Sequence, residues 1–154
     1  MSVDALTLLF FDAPCLIAAA GSPSGGSSFL LWLCRRGLLR GAVSQQVLLE
    51  AERNIQSKLK PEALRAYHQL LQTTPLLLVG TPSPDQLRGY NERITAKDAH
   101  VVAAASAIHA AFLITLDKQL GEQTNAMGEA VRALSLGAFI TTVLPGHVDY
   151  PSIR

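Results

Sequence analysis

The stretch Leu6-Thr7-Leu8-Leu9-Phe10-Phe11-Asp12 places a short apolar run directly before an acidic residue. Because the run is continuous rather than alternating, it is typical of a strand that is buried on both faces of a parallel sheet. A second stretch, Ala111-Phe112-Leu113-Ile114-Thr115-Leu116-Asp117, has the same layout. Two interior strands are therefore predicted, each followed by an aspartate.

Shorter apolar segments, separated by turn residues, divide the rest of the chain into alternating strands and helices. Further strands are predicted at residues 41–43, 76–79 and 138–141. Helices are predicted at residues 29–34, from Ser44 onward, from Pro61 onward, for a turn or two within residues 85–92, at residues 97–110 behind a Thr95 cap, and weakly at residues 127–134. Such alternation implies right-handed crossovers between parallel strands. The predicted fold is one α/β domain over residues 1–154, a three-layer α/β/α sandwich around a parallel sheet of about five strands.

The composition suits a folded domain and excludes several classes of protein. Of the 154 residues, 49% are hydrophobic and 16% are charged, which is enough apolar material for a core and unlike a disordered chain. A net charge of +1 gives no bulk positive field, so nucleic-acid binding would need a local group of Lys and Arg.

Cys15 and Cys34 lie in apolar stretches, as reduced packing residues do. The first apolar run ends at Asp12 and is flanked by Asp4, which does not suit a signal peptide or a membrane span, so we expect a cytoplasmic protein with no membrane partner.

Four acidic residues are predicted to meet at the carboxyl edge of the sheet, where open parallel sheets bind their ligands. Asp12 and Asp117 follow the two interior strands, and Asp98 lies in the first turn of the helix between residues 97 and 110. Glu50 lies about two turns into the helix after Ser44 and would reach the edge either through its long side chain or because that helix starts high above the sheet. Four carboxylates at one edge repel one another unless a divalent cation neutralises them, and all-oxygen ligation selects Mg²⁺, Mn²⁺ or Ca²⁺. Such a site can activate water for attack on a phosphodiester without a Ser, Cys or His nucleophile.

The same segments resemble the successive acidic motifs of the PIN domain family. The motifs are Leu8-Leu9-Phe10-Phe11-Asp12, Ser44-Gln45-Gln46-Val47-Leu48-Leu49-Glu50, Lys97-Asp98-Ala99-His100-Val101-Val102-Ala103-Ala104-Ala105 and Phe112-Leu113-Ile114-Thr115-Leu116-Asp117. Their order and spacing are similar to those of the family over residues 6–142.

The resemblance implies a metal-dependent endoribonuclease like the VapC-type toxins of toxin–antitoxin pairs. In that family pattern Asp12, Glu50, Asp98 and Asp117 would be the catalytic and metal-binding residues, with Mg²⁺ or Mn²⁺ as the cofactor. Thr115 matches a frequent polar neighbour in the last motif and would join the substrate contacts. An RNA substrate, an antitoxin protein and a homodimer are the partners that the resemblance implies.

Two positions depart from the family's pattern. Ala13-Pro14 follow Asp12, where a Ser, Thr or Asn often stands, and Gln119 stands where a further acid is frequent. A catalytically weakened PIN-like module that binds RNA or acts as a scaffold is therefore the alternative function. A phosphatase on a doubly wound sheet is the third, although the Asp-x-Asp pair of one large phosphatase class is missing at Asp12.

Each acid also has an ordinary structural interpretation. Asp98 follows Thr95 at the spacing of a capping box, and the helix dipole favours an acid in the first turn. Glu50 could pair on the surface with Arg53 or Asn54. The two strand-end aspartates could be turn residues or N-caps.

Six cations, Arg40 and Arg88 among them, are candidates for contacts with RNA phosphates, and four of the six are assigned to substrate binding. These four are Arg35, Arg36, Arg93 and Lys97. Solvated surface charge is the alternative for each of them. The four histidines show no metal-ligand spacing, so no chemistry is assigned to them.

Overall fold

The fold was obtained as a computed structural model that describes residues 3–153, apart from the side chain of Pro151. Five parallel strands form one sheet in the order β3-β2-β1-β4-β5. The strands are β1 (Leu8–Phe11), β2 (Arg40–Ser44), β3 (Leu76–Val79), β4 (Phe112–Ile114) and β5 (Arg132–Leu134). This parallel α/β sheet, flanked by helices, confirms the predicted fold class.

The helices connect successive strands and cover the sheet. They are α1 (Ala13–Gly21), α2 (Gly26–Arg35), α3 (Gln45–Lys58), α4 (Pro61–Thr73), α5 (Pro84–Arg88), α6 (Ala99–Ala107), α7 (Lys118–Ala126), α8 (Leu136–Ala138) and α9 (Tyr150–Ile153). Right-handed crossovers place α1 to α4 on one face of the sheet and α6 and α7 on the other. In agreement with this, α1 packs against α2, α3 and α4, whereas α6 packs against β4 and α7 against β5.

The direction of the chain through the sheet reverses between β1 and β4. From β1 the chain moves outward through β2 to β3, and it then returns to β4 and moves outward again to β5. The register pairs Phe10 with Leu113 and Phe11 with Ile114, so Asp12 and Thr115 follow the sheet at the same level. In doubly wound sheets the ligand crevice opens at such a reversal, beyond the carboxyl ends of the strands.

The centre of the sheet is fully apolar, as the first stretch of sequence predicted. Leu9, Phe10 and Phe11 in β1 and Leu113 and Ile114 in β4 are all buried. Burial of both faces of both strands explains why neither shows alternation.

The prediction of a fifth strand at residues 138–141 is wrong. These residues are helical, because Ser135 caps α8 by accepting a hydrogen bond from the Ala138 amide and a π-helical turn, Phe139–Val143, follows. The true fifth strand, β5, lies within the segment predicted as a weak helix. This strand is only three residues long, and Asn125 holds its central residue: the Asn125 side chain donates to the Ala133 carbonyl and accepts from the Ala133 amide.

Two helices next to the acidic residues were not predicted, and a third is shorter than expected. α1 begins directly after Asp12 and α7 directly after Asp117, so each aspartate leads from a strand into a helix. The predicted helix at residues 97–110 is a 3₁₀ turn, Ala96–Asp98, followed by α6. Thr95 does not cap it through its side chain.

Both cysteine thiols are free and buried, as predicted. Burial raises the pKa of Cys34 to about 12 and that of Cys15 well above its usual value, so both remain protonated packing groups. Within residues 3–153, no helix is both long enough and apolar enough to cross a membrane.

Candidate active site at the carboxyl edge of β1 and β4

Asp12 is a buried carboxylate whose two oxygens are both engaged. The residue is 2% exposed. Its Oδ1 accepts from the Cys15 amide at 3.2 Å and so caps the amino end of α1. Its Oδ2 accepts from the Thr115 hydroxyl at 2.5 Å. The N-cap interpretation of Asp12 is therefore correct, but the cap occupies only one of its two oxygens.

Thr115 joins the two strand-end aspartates. Its hydroxyl donates to Asp12 and accepts from the Asp117 amide at 3.0 Å. The residue is buried and its hydroxyl orients both aspartates, and it also lines a groove that opens beside Asp117. Its role in substrate contact stays a prediction.

Asp117 repeats the arrangement of Asp12 at the end of β4. Its Oδ1 accepts from the Leu120 amide at 3.1 Å and caps α7. Each aspartate thus uses one of its own carboxylate oxygens to cap the helix that follows, which fixes the orientation of the side chain. Two strand–aspartate–helix units lie side by side across the reversal of strand order.

Asp98 reaches the same edge from the opposite direction, on the turn that leads into α6. Its side chain makes no capping hydrogen bond, and the Thr95 amide is bonded instead by the Gln123 side chain at 3.1 Å. The capping-box interpretation is therefore wrong for Asp98. Its carboxylate is half-buried and is not committed to the backbone of its own helix.

The charge of Asp117 affects the pKa of each of the other two aspartates. Burial raises the pKa of Asp12, hydrogen bonds from Thr115 and Cys15 lower it, and the charge of Asp117 raises it further. Burial also raises the pKa of Asp98, while Lys97 lowers it, Asp117 raises it and His100 lowers it. Because Asp117 acts on both of the others, it lies within electrostatic reach of each.

Glu50 meets the site through a histidine. Its Oε1 lies 3.0 Å from the Nε2 of His100, which is 5% exposed at its side chain. The predicted surface pairing is wrong, since Asn54 donates to the backbone carbonyl of Glu50 and not to its carboxylate. Sequence reasoning assigned no chemistry to His100, although one signal was available: it stands two residues after Asp98, inside an apolar, Ala-rich helix.

The four candidate cations divide into two pairs. Arg93 and Lys97 are exposed on the segment that leads to Asp98 at the carboxyl edge. Arg35 and Arg36 come at the end of α2, shortly before β2 begins, and therefore lie toward the opposite edge of the sheet. The Arg36 guanidinium also lies over the Trp32 ring, 5.3 Å from its centroid.

A groove of about 410 Å³ opens beside Asp117. Its walls include Thr115, Lys118, Glu122 and Ser135, so it runs along the start of α7 and the end of β5. The groove lies at the carboxyl edge, where ligands of such sheets bind, and Asp117 is the candidate acid that lines it.

The donor set suits a hard divalent cation but is not yet arranged around one. Across residues 3–153, no three His, Cys, Asp or Glu side chains are grouped closely enough to hold a metal ion. Burial is the main cause of the raised pKa of Asp12 and of Asp98, so both carboxylates are poorly solvated. Carboxylate oxygens are the donors that Mg²⁺ and Mn²⁺ prefer, so the chemistry of these residues fits such an ion.

This geometry defines a class of protein: a doubly wound parallel sheet with acidic residues where the strand order reverses. A family model described as the PIN domain matches residues 9–119, which is most of the chain and spans all four acids. The chain belongs to the PIN domain family, whose members are generally nucleases. No curated protein sequence matches the chain.

Solved structures share this fold at low sequence identity. PAE2754 from Pyrobaculum aerophilum is 22% identical with a TM-score of 0.62, and the match covers 88% of this chain and 93% of that one. VapBC2 from Rickettsia felis, solved bound to a DNA fragment from its promoter, is 15% identical with a TM-score of 0.61 over 83% and 98% of the two chains. FitAcB from Neisseria gonorrhoeae is 16% identical with a TM-score of 0.55 over 84% and 98%.

Proposed function

We propose that this chain is a single-domain, metal-dependent endoribonuclease that acts in the cytoplasm as the toxin of a toxin–antitoxin pair. The observation that carries the proposal is the pair of helix-capping aspartates, Asp12 and Asp117, at the ends of the two neighbouring strands where the strand order reverses, in a PIN-family chain. Asp98 supports the proposal, because the charge of Asp117 raises the pKa of Asp98.

Mg²⁺ or Mn²⁺ is the proposed cofactor, held by Asp12, Asp98 and Asp117 with Glu50 completing the set. When bound, such an ion activates water for attack on phosphorus and stabilises the charge that develops on the phosphodiester. Mg²⁺ usually takes only one or two carboxylates together with waters and substrate phosphate, so these four acids are sufficient.

The side chains of the site have distinct tasks. Asp12 and Asp117 supply oxygens whose positions are set in advance by backbone amides and by Thr115. Preorganised donors of this kind need not reorganise when substrate arrives. Asp98 brings a further charge from the turn that leads into α6. Ala13-Pro14 offer no polar side chain to Asp12, but the Thr115 hydroxyl donates a hydrogen bond to it instead.

RNA is the proposed substrate, held beside the acids by Arg93 and Lys97. The acidic edge repels phosphate until a cation is bound, so positive side chains on the approach are needed. These two residues are exposed at the same edge, whereas Arg35 and Arg36 are not placed there.

An antitoxin protein and a second copy of the chain are the proposed partners. Structures with this fold include VapBC2 and FitAcB, which are toxin–antitoxin complexes. An antitoxin would bind near the acidic edge and keep RNA from it.

Cleavage of a mixed RNA pool with Mn²⁺ or Mg²⁺ tests this function. Wild type should cleave, whereas chelation or Asp12→Asn should abolish cleavage. The matched control is Asp149→Asn, because its neighbour His147 contacts the Leu38 carbonyl before β2, at the opposite edge of the sheet. Cleavage that survives both chelation and Asp12→Asn would defeat the proposal. Metal binding by calorimetry without any cleavage would favour the weakened RNA-binding module instead.

A further inference from the structure

One helix, α3, makes two histidine–glutamate contacts, and they differ in their surroundings. Glu52 contacts His68 of α4 at 3.3 Å, with both side chains about half exposed to solvent (46% and 49%). Glu50 contacts His100 of α6 at 3.0 Å, where the histidine is 5% exposed. The first contact lies on the surface, and the second crosses from α3 to the helix that follows Asp98.

The donor in the buried contact is the Nε2–H of His100. A carboxylate only accepts, so the nitrogen that faces Glu50 carries the proton. This holds for the protonated ring and for the neutral Nε2–H tautomer alike. The bond engages Oε1 of Glu50, and within the described residues no hydrogen bond is seen at Oε2, which can face a ligand.

The other ring nitrogen of His100, Nδ1, does not stabilise the fold. Nδ1 is buried and has no hydrogen-bond partner among residues 3–153. Burying a polar atom without a partner destabilises a folded protein, so an apolar side chain would fill this part of the core better. A residue that breaks this rule next to acidic residues is expected to serve the site and not the core.

We propose that His100 is a positioning residue, which holds the Glu50 carboxylate at the acidic edge beside Asp98 so that it can complete the metal-binding set. The proposal rests on the proposed function of the site. Glu50 needs such a tether because it lies on a long, half-exposed side chain, whereas Asp12 and Asp117 are fixed by their helix caps. Outer partners of this type orient the carboxylates that bind a metal.

The test compares three substitutions of His100 with one of His68. His100→Gln keeps an amide donor near the position of Nε2, whereas His100→Asn places its amide at the position of Nδ1, out of reach of Glu50. His100→Leu removes both nitrogens. His68→Asn is the matched control, since it removes a histidine–glutamate contact from the same helix at the surface.

Three quantities are measured for each variant: the Mn²⁺ dissociation constant by calorimetry, the Tm without metal, and RNA cleavage as a function of Mn²⁺ concentration. We expect His100→Asn and His100→Leu to weaken Mn²⁺ binding about 10–100-fold. His100→Gln should restore most of that affinity, and His68→Asn should leave it unchanged. The Tm of His100→Leu should equal or exceed that of wild type, because the unpartnered Nδ1 is gone.

The result that overturns the inference is unchanged Mn²⁺ affinity in both His100→Asn and His100→Leu. A lower Tm with unchanged metal binding would overturn it as well, since it assigns His100 to the core. Equal losses in the Gln and Asn variants would show that the Nε2 donor is not what matters. These outcomes differ from failure of the proposed function, in which Asp12→Asn itself leaves metal binding and cleavage intact.

Discussion

The acids that end β1 and β4 are held differently from the acids carried by the neighbouring helices. Asp12 and Asp117 each use one carboxylate oxygen to cap the next helix, and Thr115 connects the two residues. Glu50 is tied only by the His100 side chain, and Asp98 caps nothing. The inner pair is therefore held by backbone amides, whereas the outer pair is not. This difference predicts a graded set of mutational effects.

The largest effect should come from the inner pair. Asp12→Asn or Asp117→Asn should lower cleavage more than about 100-fold, beyond the loss expected from removal of an outer partner of a metal ligand. Asparagine is as good an N-cap as aspartate, so the Tm of Asp117→Asn without metal should not fall. Asp12→Asn keeps its cap but loses the acceptor for the Thr115 hydroxyl, so a small fall in Tm is expected there. Glu50→Gln should cost less, because Glu50 is held by one side-chain contact and not by a helix cap. Single-turnover cleavage and thermal melts measure both quantities, and the comparison breaks if Glu50→Gln proves more damaging than Asp12→Asn.

The next effect should come from the link between the inner aspartates. Thr115→Val keeps the shape of the side chain but removes the donor to Asp12 and the acceptor for the Asp117 amide. Mn²⁺ affinity should fall about 10–100-fold, and the free energy of unfolding should fall by about 1–3 kcal/mol. Thr124→Val is the control, since this threonine is also buried but donates to the Leu120 carbonyl within α7. Equal Mn²⁺ affinities in the two variants would contradict the role assigned to Thr115.

A smaller effect should separate the two pairs of cations. Arg93→Gln and Lys97→Gln should each weaken RNA binding and lower the magnitude of the slope of log affinity against log salt by about 0.7, the value for one phosphate contact on a single strand. Arg35→Gln and Arg36→Gln should leave that slope unchanged, because these residues lie toward the opposite edge of the sheet. Filter binding of a non-cleavable RNA analogue across a salt series, at a fixed Mn²⁺ concentration, measures the slopes. A larger change from the second pair would place the RNA elsewhere.

The smallest effect should appear in the pH dependence of stability without metal. Burial raises the pKa of Asp12 above 3.8, so the folded protein holds this proton more tightly than the unfolded chain does. The contribution of Asp12 to stability is therefore present at low pH and is lost as the pH rises through the raised pKa. Relative to Asp12→Asn, wild type should gain in Tm as the pH is lowered from neutral toward 3.8. Parallel Tm curves for the two proteins would show that folding does not raise the pKa of Asp12.

The contrast between the two pairs also explains how much of the site could be predicted from the sequence. Asp12 and Asp117 were predictable because each follows a continuous apolar strand, and parallel strands end at one edge. Their double role as helix caps was weighed as an alternative, yet it coexists with the site. The contact between His100 and Glu50 joins residues 50 positions apart, and no local pattern indicates which side chains of two helices will meet.

The errors in the fold have an equally local cause. β5 has no long apolar run, and a side chain, that of Asn125, satisfies its central residue. Residues 138–141 are apolar enough for a strand but form helical turns, and Phe139 packs edge-on against Phe112 with ring centroids 5.5 Å apart. A short apolar run alone does not distinguish a buried strand from a buried helical segment.

Crystallography of the protein with Mn²⁺, using the anomalous signal of the metal, tests the central claim most directly. We predict a peak within coordination distance of Asp12, Asp98 and Asp117, with Glu50 in contact directly or through water. The peak should be lost in Asp12→Asn and kept in Asp149→Asn. At saturating Mn²⁺, a peak only at some other place on the molecule, or none at the edge of β1 and β4, would contradict the account.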